Sequence, residues 1–489
     1  MSSAHANDSS DPSQTVQTSS SLIPQWVSDA REVQSASNFS LSDINAPGEN
    51  IWVDEVPPEL WIKIFHLLPQ SDLLFHVPQV CRAWYQVSRS PILRTRLVLR
   101  RDVPPDVLYE QFKTRPLMRL FHCTAMESAG SALVSAIQLS TSLQCLNIGF
   151  CKLSEELLDT LSTHLPPTLV HLNVEGIKTI GLHFISNLVT RCPKLEALNL
   201  SHCVAVCNQC VRLLCDTLTT LRRLNLDGAL WFTDEALQYL ADSCRTPGNS
   251  GIGDFLRRLS ETNKELEKCL NVRILTHTEE YPNDTENPLG LHVLWFSFCD
   301  NFTNVTVKPI RDLTGLTALT LRKAKGVTSD GWKDLFVLES GSPNLSLQWL
   351  EHVDLSEAPD VNDAVVSCLC KCCGSRLRSL ALNWCWCVSD NGLETIVTEC
   401  PMMRHLSLIG NHTINGRALS FIPTSQPLMN VVNLTQCNRV IDSILEDLVQ
   451  QMPHLHVFDY SGEPVGNELK DFCHYDLWRS LRKVPICAD

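Results

Sequence analysis

The sequence lacks the features that mark membrane proteins, secreted proteins and most nucleic-acid-binding proteins. It has no run of about 18 apolar residues, which a membrane-spanning helix would need. It does not begin with a basic stretch followed by an apolar core, so no secretory signal is expected. Acidic residues outnumber basic ones, 54 to 40, and the net charge of −14 argues against nucleic-acid binding, which favours a basic face. We therefore expect a protein of the cytoplasm, the nucleus or both.

Catalytic motifs are missing as well. The sequence has no G-x-S-x-G, no H-E-x-x-H, no phosphate-binding loop and no dinucleotide fingerprint. Its His and Asp residues are scattered, without a nucleophile beside them. We therefore expect a protein that is not an enzyme and that needs no cofactor.

What the sequence does contain is a repeat with a period of 26 residues. The first four units read LQCLNIGFC from Leu143, LVHLNVEGI from Leu169, LEALNLSHC from Leu195 and LRRLNLDGA from Leu221. After an insert the pattern returns in seven more units, which begin at Leu291, Leu316, Leu350, Leu377, Met403, Met429 and Leu455. A period of this size indicates a solenoid, which exposes a long surface instead of enclosing a pocket.

Each unit is predicted to form a strand, a turn and a helix. In the L-x-L step two leucines alternate with one outward residue, which is the period of a strand. The segments FTDEALQYLADSC (232–244) and VSDNGLETIVTEC (388–400) have a helical pattern, with Thr233 and Ser389 as predicted N-caps. Stacked units of this kind give a parallel sheet on the concave side and helices outside.

These units resemble the cysteine-containing type of leucine-rich repeat over about residues 117–462. The resemblance implies an α/β fold in which the repeats, 143–462, form a curved solenoid. Residues 100–142 are interpreted as a bridge, in which LMRLFHCTA from Leu117 is a possible degenerate first repeat.

Two insertions and the C-terminal segment depart from the repeat. The insert at about 246–289 is interpreted either as a loop or as a flap that docks a partner. A smaller insertion lies at about 337–346. The segment 463–489 is interpreted either as a cap of the solenoid or as a tail that folds back over the concave face.

The N-terminal part of the chain has two segments of different composition. Residues 1–50 are rich in Ser, Asp, Gln and Asn, so no core can form and disorder is expected. Residues 53–99 carry an apolar stripe, since Leu60, Ile64 and Leu68 are four residues apart. The stripe is wider than so short a helix needs for its own core, which favours a partner that covers it. Three short helices are predicted, and a proline should end the second of them early.

This segment resembles an F-box. The family pattern is matched by Val56-Pro57, Glu59-Leu60, Ile64-Phe65, Leu68-Pro69, Leu73-Leu74 and Val80-Cys81 with Trp84. The resemblance implies that an adaptor of the Skp type binds this module and links it to a cullin and a RING subunit. The implied adaptor-binding residues are Val56, Pro57, Glu59, Leu60, Ile64, Phe65, Leu68, Leu73, Leu74, Val80, Cys81 and Trp84. The alternative interpretation of the segment is a plain helical cap on the end of the solenoid.

Together the two modules resemble the F-box and leucine-rich-repeat proteins, which are substrate receptors of SCF-type ubiquitin ligases. The resemblance implies that the repeats hold a protein substrate near a conjugating enzyme, so that the mechanism is proximity. Two alternatives stay open. One is a non-degradative scaffold that uses the F-box only to recruit the adaptor, and the other is a repeat-type binder without a working F-box.

The outward residues of the L-x-L steps are predicted to line an open, polar concave face. Trp295 stands in the middle of this face, and its replacement by Ala is predicted to weaken substrate binding by about 2 kcal/mol. Alternatively, Trp295 packs against the insert and the asparagines are only solvated strand residues. The substrate-binding candidates are Asn147, Asn173, Glu175, Asn199, Asn225, Asp227, Trp295, Arg322 and Asp354.

The 22 cysteines are interpreted as structural. Dense groups occur at 203–215 and 368–387, but neither has the two Cys-x-x-Cys pairs typical of a zinc site, so no metal is expected. A disulfide framework is not expected either, because the repeats already provide a core. Cysteine recurs at the turn of the repeat, where a small buried residue is needed. These turn cysteines are Cys151, Cys203, Cys299, Cys385 and Cys437, whereas Cys368, Cys370 and Cys372 fit no repeated position.

Overall fold

The computed structural model describes residues 56–68, 72–99, 102–127, 130–228, 231–245, 291–311 and 313–466. The predictions for residues 1–50, for the insert at about 246–289 and for residues 467–489 therefore lie outside the described residues. The helices and strands that follow all belong to one unit, Pro58–Asp489. No helix in the described ranges is long and apolar enough to cross a membrane.

The described residues form one sheet of thirteen parallel strands, which follow one another in chain order. Each strand pairs with the next in the register of the repeat, so that Leu172 lies between Leu146 and Leu198. The apolar residues of the L-x-L steps are therefore stacked in continuous buried rows. The strands are β1 (Arg96–Leu99), β2 (Leu120–Cys123), β3 (Cys145–Asn147), β4 (His171–Asn173), β5 (Ala197–Asn199), β6 (Arg223–Asn225), β7 (Val293–Phe296), β8 (Ala318–Leu321), β9 (His352–Asp354), β10 (Ser379–Ala381), β11 (His405–Ser407), β12 (Val431–Asn433) and β13 (His456–Phe458).

Helices connect the strands, as the pattern predicted, and each repeat helix packs against the helices of its neighbours. Ser389 is an N-cap as predicted, since its hydroxyl accepts a hydrogen bond from the Asn391 N–H. The helices are α1 (Pro58–Phe65), α2 (Arg82–Ser88), α3 (Pro105–Lys113), α4 (Gly130–Gln138), α5 (Glu155–His164), α6 (Leu182–Arg191), α7 (Asn208–Thr217), α8 (Asp234–Arg245), α9 (Val307–Arg311), α10 (Ser329–Phe336), α11 (Asp363–Cys373), α12 (Asp390–Glu399), α13 (Ile422–Ser425) and α14 (Asp442–Gln451).

The sheet begins earlier than the repeat pattern indicated. Strand β2 and helices α3 and α4 lie in the segment interpreted as a bridge, so this segment is part of the solenoid, and β1 lies at the end of the segment interpreted as an F-box. The possible first repeat was placed one residue too early: Met118 is the buried anchor at 1 % exposure, whereas Leu117 is 44 % exposed. In the last unit Phe458 pairs with the outward residue Asn433, so the unit counted from Leu455 was also one residue out of register.

The N-terminal helical module has its own small core. Phe65, Leu73, Val77 and Leu93 are buried together, and the Phe65 and Trp84 rings meet edge to face at 5.0 Å. Between α1 and α2 the chain forms a π-helical turn, Asp72–His76, and a 3-10 turn, Val77–Gln79. The second of the three predicted helices is therefore reduced to two short turns, and the second turn contains Pro78.

The smaller insertion at about 337–346 is a local excursion. Val337 and Pro343 form an isolated antiparallel bridge, and a 3-10 turn at Leu345–Leu347 leads back to the sheet. The insertion adds residues at the end of α10 and leaves the pairing of β8 with β9 intact.

Candidate functional site

Helix α1 carries apolar side chains on two faces. One face turns Phe65 into the core of the module, with Trp61 and Leu68 packed beside it. The other face exposes Leu60 and Ile64, each at 47 %, and the turn after α1 exposes Leu67 at 69 %. Val80, in the segment before α2, is a fourth exposed apolar side chain at 58 %. The expectation that Leu68 belongs to the exposed stripe is wrong, because Leu68 packs against the core, and Leu67, which sequence reasoning missed, is exposed instead. Below, "the apolar stripe" therefore means Leu60, Ile64 and Leu67.

The structure separates the predicted adaptor-binding residues into exposed and buried ones. Phe65 and Leu73 are corrected from contact residues to core residues, because both are buried inside the module. Cys81 is the N-cap of α2, where its Sγ accepts a hydrogen bond from the Trp84 N–H at 3.5 Å. The exposed members of the set are Pro57, Glu59, Leu60, Ile64 and Val80, and the half-buried ones are Val56, Leu68, Leu74, Cys81 and Trp84.

The predicted open concave face is wrong in its central row. The outward residues of the L-x-L steps are buried, because neighbouring strands place them side by side along the sheet. Trp295 is buried with Ala197, two strands away, and with Val293, so it is not the exposed hot spot that was expected. The buried candidates are Asn147, Asn173, Asn199, Asn225, Trp295 and Asp354, and the half-buried ones are Glu175, Asp227 and Arg322.

The asparagines of this row have a structural role. The side-chain oxygen of Asn173 accepts a hydrogen bond from the Glu175 N–H at 2.9 Å, and Asn199 accepts one from the Ser201 N–H at 2.9 Å. The same contact recurs in other units. A buried backbone N–H must find an acceptor, and the asparagine supplies one two residues before it. The other units with this bond are those of Asn147, Asn225, Asp354 and Asn433.

Arg322 is the centre of an ion-pair cluster. Its guanidinium contacts the carboxylate of Glu357 at 2.7 Å and that of Asp354 at 3.8 Å. Burial lowers the pKa of Arg322, but the acidic neighbours outweigh it, so the pKa is raised above its ordinary value. The cluster ties β8 to the following unit, and its one guanidinium faces two carboxylates.

Three half-buried histidines near the concave side are uncharged at neutral pH. Burial lowers the pKa of His171 to about 3, with a smaller effect of Arg223, and lowers those of His292 and His352 to about 4. Burial raises the pKa of Glu196 to about 7, although neighbouring arginines oppose the shift. These half-buried groups therefore offer little charge for recognising a substrate.

The turn that follows each strand has an unusual backbone. The seventh residue after the anchor has φ between +56° and +74° in unit after unit. This left-handed conformation costs an ordinary L-residue about 1–2 kcal/mol. It is retained because the N–H of that residue donates to the next unit, as in Trp384 N–H to the Ile409 carbonyl at 2.7 Å. Below, "the turn row" means Ala125, Phe150, Gly176, His202, Gly228, Phe298, Lys323, Glu357, Trp384, Gly410 and Gln436.

Aromatic rings and glycines occupy neighbouring places in the turn row. The ring of Phe150 covers Gly176, where an added Cβ would overlap it. His202 covers Gly228 and Trp384 covers Gly410 in the same way. In each pair the glycine has no side chain, and this leaves room for the ring of the preceding unit.

The turn row is also a well exposed part of the repeats. Phe150 is 47 % exposed and Phe298 is 39 % exposed, and Lys323 Nζ lies 4.6 Å from the Phe298 ring centre. Trp231 and Trp386, further along their own turns, are exposed too. Strained backbone and exposed aromatic side chains are both enriched at binding surfaces.

The turn cysteines are buried, as predicted, and several also donate hydrogen bonds, which was not predicted. The thiol donates to a carbonyl of the previous unit: Cys203 to Val174 at 3.3 Å, and Cys437 to Leu408 at 3.0 Å. Cys372, which fitted no repeated position, donates to the Asn344 carbonyl at 3.2 Å. Across the described ranges no group of three or more His, Cys, Asp or Glu side chains could hold a metal ion.

Comparison with known proteins matches both modules. A model of the F-box-like family matches residues 53–100, and a model of the leucine-rich repeat matches residues 376–397. F-box/LRR-repeat protein 12 of Arabidopsis thaliana is 34 % identical over 90 residues, which are 18 % of this chain and 22 % of that protein. The match therefore spans much less than two thirds of the relative's length.

Solved structures with a similar fold are more distant in sequence. The structure of the Rad7 and Elc1 complex in yeast has a chain that is 15 % identical, with a TM-score of 0.54, over 91 % of this chain and 99 % of that one. An internalin of Listeria monocytogenes is 15 % identical, with a TM-score of 0.34, over 80 % of this chain and 98 % of that one. The likeness to the yeast chain concerns the fold alone. The family models match an F-box-like segment and a leucine-rich repeat in this chain, which are the two parts that the name of the curated relative gives.

Proposed function

We propose that this protein is the substrate-recognition subunit of an SCF-type ubiquitin ligase. The F-box module recruits an adaptor of the Skp type, and through it a cullin and a RING subunit. The repeats hold a protein substrate. The chain itself is not an enzyme and uses no cofactor or metal, so its contribution to ubiquitin transfer is to raise the local concentration of the substrate.

The apolar stripe is the observation that supports this proposal most directly. Leu60 and Ile64 lie on one side of α1 and Leu67 lies in the turn that follows it, at the sequence spacing with which a helix docks into an apolar groove of a partner. The opposite side of the same helix already fills the core of the module. Exposed leucine and isoleucine side chains in a row are costly on a protein that stays alone, and an adaptor that covers them removes that cost.

The turn row is the part of the repeats that we propose for substrate contact. The concave row first considered is buried, whereas Phe150 and Phe298 are exposed on turns whose backbone is fixed by hydrogen bonds to the next unit. Rings held in place lose little conformational entropy on binding, and aromatic side chains dominate protein interfaces. Recognition would then occur along the edge of the sheet.

Affinity capture of the full-length chain from cells tests both parts. We expect the wild type to retain the adaptor, the cullin and a set of further proteins. The double variant Leu60→Asp/Ile64→Asp should lose adaptor and cullin and keep the further proteins. The matched control is Leu182→Asp, because Leu182 is a similarly exposed leucine on a repeat helix.

A second double variant, Phe150→Ala/Phe298→Ala, tests the turn row. It should keep adaptor and cullin and lose at least one protein that the wild type retains, whereas Phe421→Ala, an exposed aromatic outside the row, should lose none. Capture of the adaptor without cullin would instead favour a non-degradative scaffold. Retention of adaptor and cullin by the Leu60→Asp/Ile64→Asp variant would show that the apolar stripe does not bind the adaptor.

A further inference from the structure

Pairs of cysteine sulfur atoms come close together at several places in the described part of the chain. Cys123 and Cys151 are 3.9 Å apart, and Cys370 and Cys400 are 3.5 Å apart. Both of these pairs join neighbouring units and have only buried members. They are therefore shielded from any reagent in solution.

One pair differs because one of its members reaches the surface. The Sγ atoms of Cys207 and Cys210 are 3.9 Å apart, Cys210 is fully buried, and Cys207 is partly exposed. The two residues are separated by Asn208 and Gln209, which is the Cys-x-x-Cys spacing. A dithiol with one accessible and one shielded sulfur can react in a fixed order.

The local backbone suits a disulfide. Cys207 is the N-cap of α7 in an extended conformation, and the Cys210 N–H donates to the Cys207 carbonyl at 2.9 Å, which closes the first turn. Residues three apart on a helix have their Cβ atoms about 5–6 Å from each other, whereas a disulfide needs about 3.5–4.5 Å, so its formation also requires a small shift of the backbone at the N-cap. The Cys207 side chain makes no capping hydrogen bond to the backbone, so its movement breaks none.

The two sulfurs also differ in chemistry. Burial raises the pKa of Cys210 to about 11, so its thiol stays protonated until a partner sulfur is in place. Cys207 is the sulfur that a reagent in solution can reach, and the thiolate is the attacking form of cysteine. Cys207 is accordingly the attacking sulfur and Cys210 the one that completes the bond.

We propose that Cys207 and Cys210 form a redox modification site, which a small disulfide such as glutathione disulfide oxidises to a disulfide within α7. The Cys207 thiolate attacks one sulfur of glutathione disulfide, forms a mixed disulfide and releases one glutathione thiolate, which takes up the proton that Cys207 lost. Cys210 then loses its proton and attacks the Cys207 sulfur, which releases the second glutathione. Two protein thiols become one disulfide, and one glutathione disulfide becomes two glutathione molecules.

The site lies beside an exposed part of the next unit. Cys207 forms a backbone bridge with Trp231, which is exposed. Asn208, between the two cysteines, donates to the Thr233 hydroxyl at 2.7 Å and accepts from the Thr233 N–H at 3.2 Å. A disulfide in this turn therefore changes the contacts that hold the segment with the exposed Trp231 in place.

The test is differential alkylation and peptide mass spectrometry of the full-length protein, equilibrated with glutathione and glutathione disulfide. We expect the peptide with Cys207 and Cys210 to be two hydrogens lighter. Cys123 and Cys151 should stay reduced at the same ratio, and Cys387, exposed and outside any such pair, should form only a glutathione adduct. An unmodified Cys207–Cys210 peptide, at a ratio that modifies Cys387, would overturn the proposal.

Variants separate the two steps. In Cys210→Ser the mixed disulfide cannot resolve, so about tenfold more glutathione adduct should collect at Cys207 than in the wild type. Cys207→Ser should leave Cys210 reduced, because it is buried. Cys210→Ala serves in place of Cys210→Ser if the buried hydroxyl impairs folding. Equal amounts of adduct in the wild type and both Cys210 variants would mean that Cys210 takes no part, which contradicts the proposal.

Discussion

At the scale of single residues, the asparagines of the concave row show what a sequence pattern contains and what it omits. The spacing of L-x-L gave Asn173 and its equivalents the same position in each unit, and neighbouring strands pair them in one row. Their burial was not predictable from one unit, because the neighbouring strands that cover them belong to other units. The asparagine side chain accepts a hydrogen bond from an N–H two residues later, which is a local motif. The recurring asparagine was therefore the signal in the sequence from which this structural role could have been predicted.

Replacement of Asn173 by Ala should therefore reduce stability. The Glu175 N–H would lose its acceptor at 2.9 Å in a partly buried place, where the cost is about 1 kcal/mol, the lower end of the range for a buried unsatisfied donor. The free energy of unfolding, measured by urea denaturation of the full-length protein, should fall by that amount. The control is Asn438→Ala, an exposed asparagine outside this row, which should change stability little. Equal effects of the two substitutions would show that water replaces the lost bond.

At the scale of the repeat unit, the turn was predicted but its conformation was not. Glycine at Gly176 or Gly228 indicates a left-handed turn, whereas Phe150 and Trp384 in the equivalent place indicate nothing of the kind. The conformation is imposed by the stack, since each of these N–H groups must reach a carbonyl of the next unit. The pairing of a ring with the following glycine is visible only when two units are read together.

This pairing predicts that Gly176→Ala is more harmful than its backbone alone would make it. Gly176 has φ +72° and lies under the Phe150 ring, whereas Gly315 has φ +87° with nothing within 4 Å of an added Cβ. Gly315→Ala should cost about 1–2 kcal/mol of unfolding free energy, which is the strain of the left-handed conformation. Gly176→Ala should cost this amount and also the displacement of the ring.

A double variant separates the two costs. Phe150→Ala removes the ring, so adding Gly176→Ala to it should cost no more than Gly315→Ala does in the wild type. The unfolding free energies of the single and double variants give this coupling directly. If the cost of Gly176→Ala is the same with and without the Phe150 ring, the ring and the glycine are not coupled.

At the scale of the whole molecule, the 26-residue period was enough to predict the sheet, the helices and their order. Strand β1 was missed and β2 was expected one residue out of register, because RLVL at 96–99 and LFHC at 120–123 lack the L-x-x-L-x-L pattern. Both join the sheet by pairing, β1 with β2 and β2 with β3. The F-box residues were recognised by their order along the chain. This order does not predict which of the residues are exposed, because α1 has apolar side chains on both sides.

The half-buried titratable groups of the concave side predict how the stability of the whole solenoid depends on pH. His171, His292 and His352 have pKa values lowered from 6.5 to between about 3 and 4, chiefly by burial, so only the unfolded chain binds their protons as the pH falls below 6.5. Their contribution to stability is present above pH 6.5 and is lost progressively below it. Glu196 acts in the opposite direction, because its pKa is raised from 4.5 to about 7 and the folded protein keeps its proton between these values.

Between pH 6 and pH 5 the three histidines therefore bind protons on unfolding and Glu196 releases one. Unfolding should then be accompanied by a net uptake of about two protons at these four groups. The free energy of unfolding should fall as the pH is lowered through this range, and urea denaturation at several pH values measures the slope. His352→Gln removes one of the three histidines, so its slope should be smaller by about one proton, whereas His412→Gln, at an exposed histidine, should keep the slope of the wild type. A His352→Gln slope equal to that of the wild type would mean that His352 is protonated in the folded protein. In that case the burial of the concave rows would not explain a loss of stability below neutral pH.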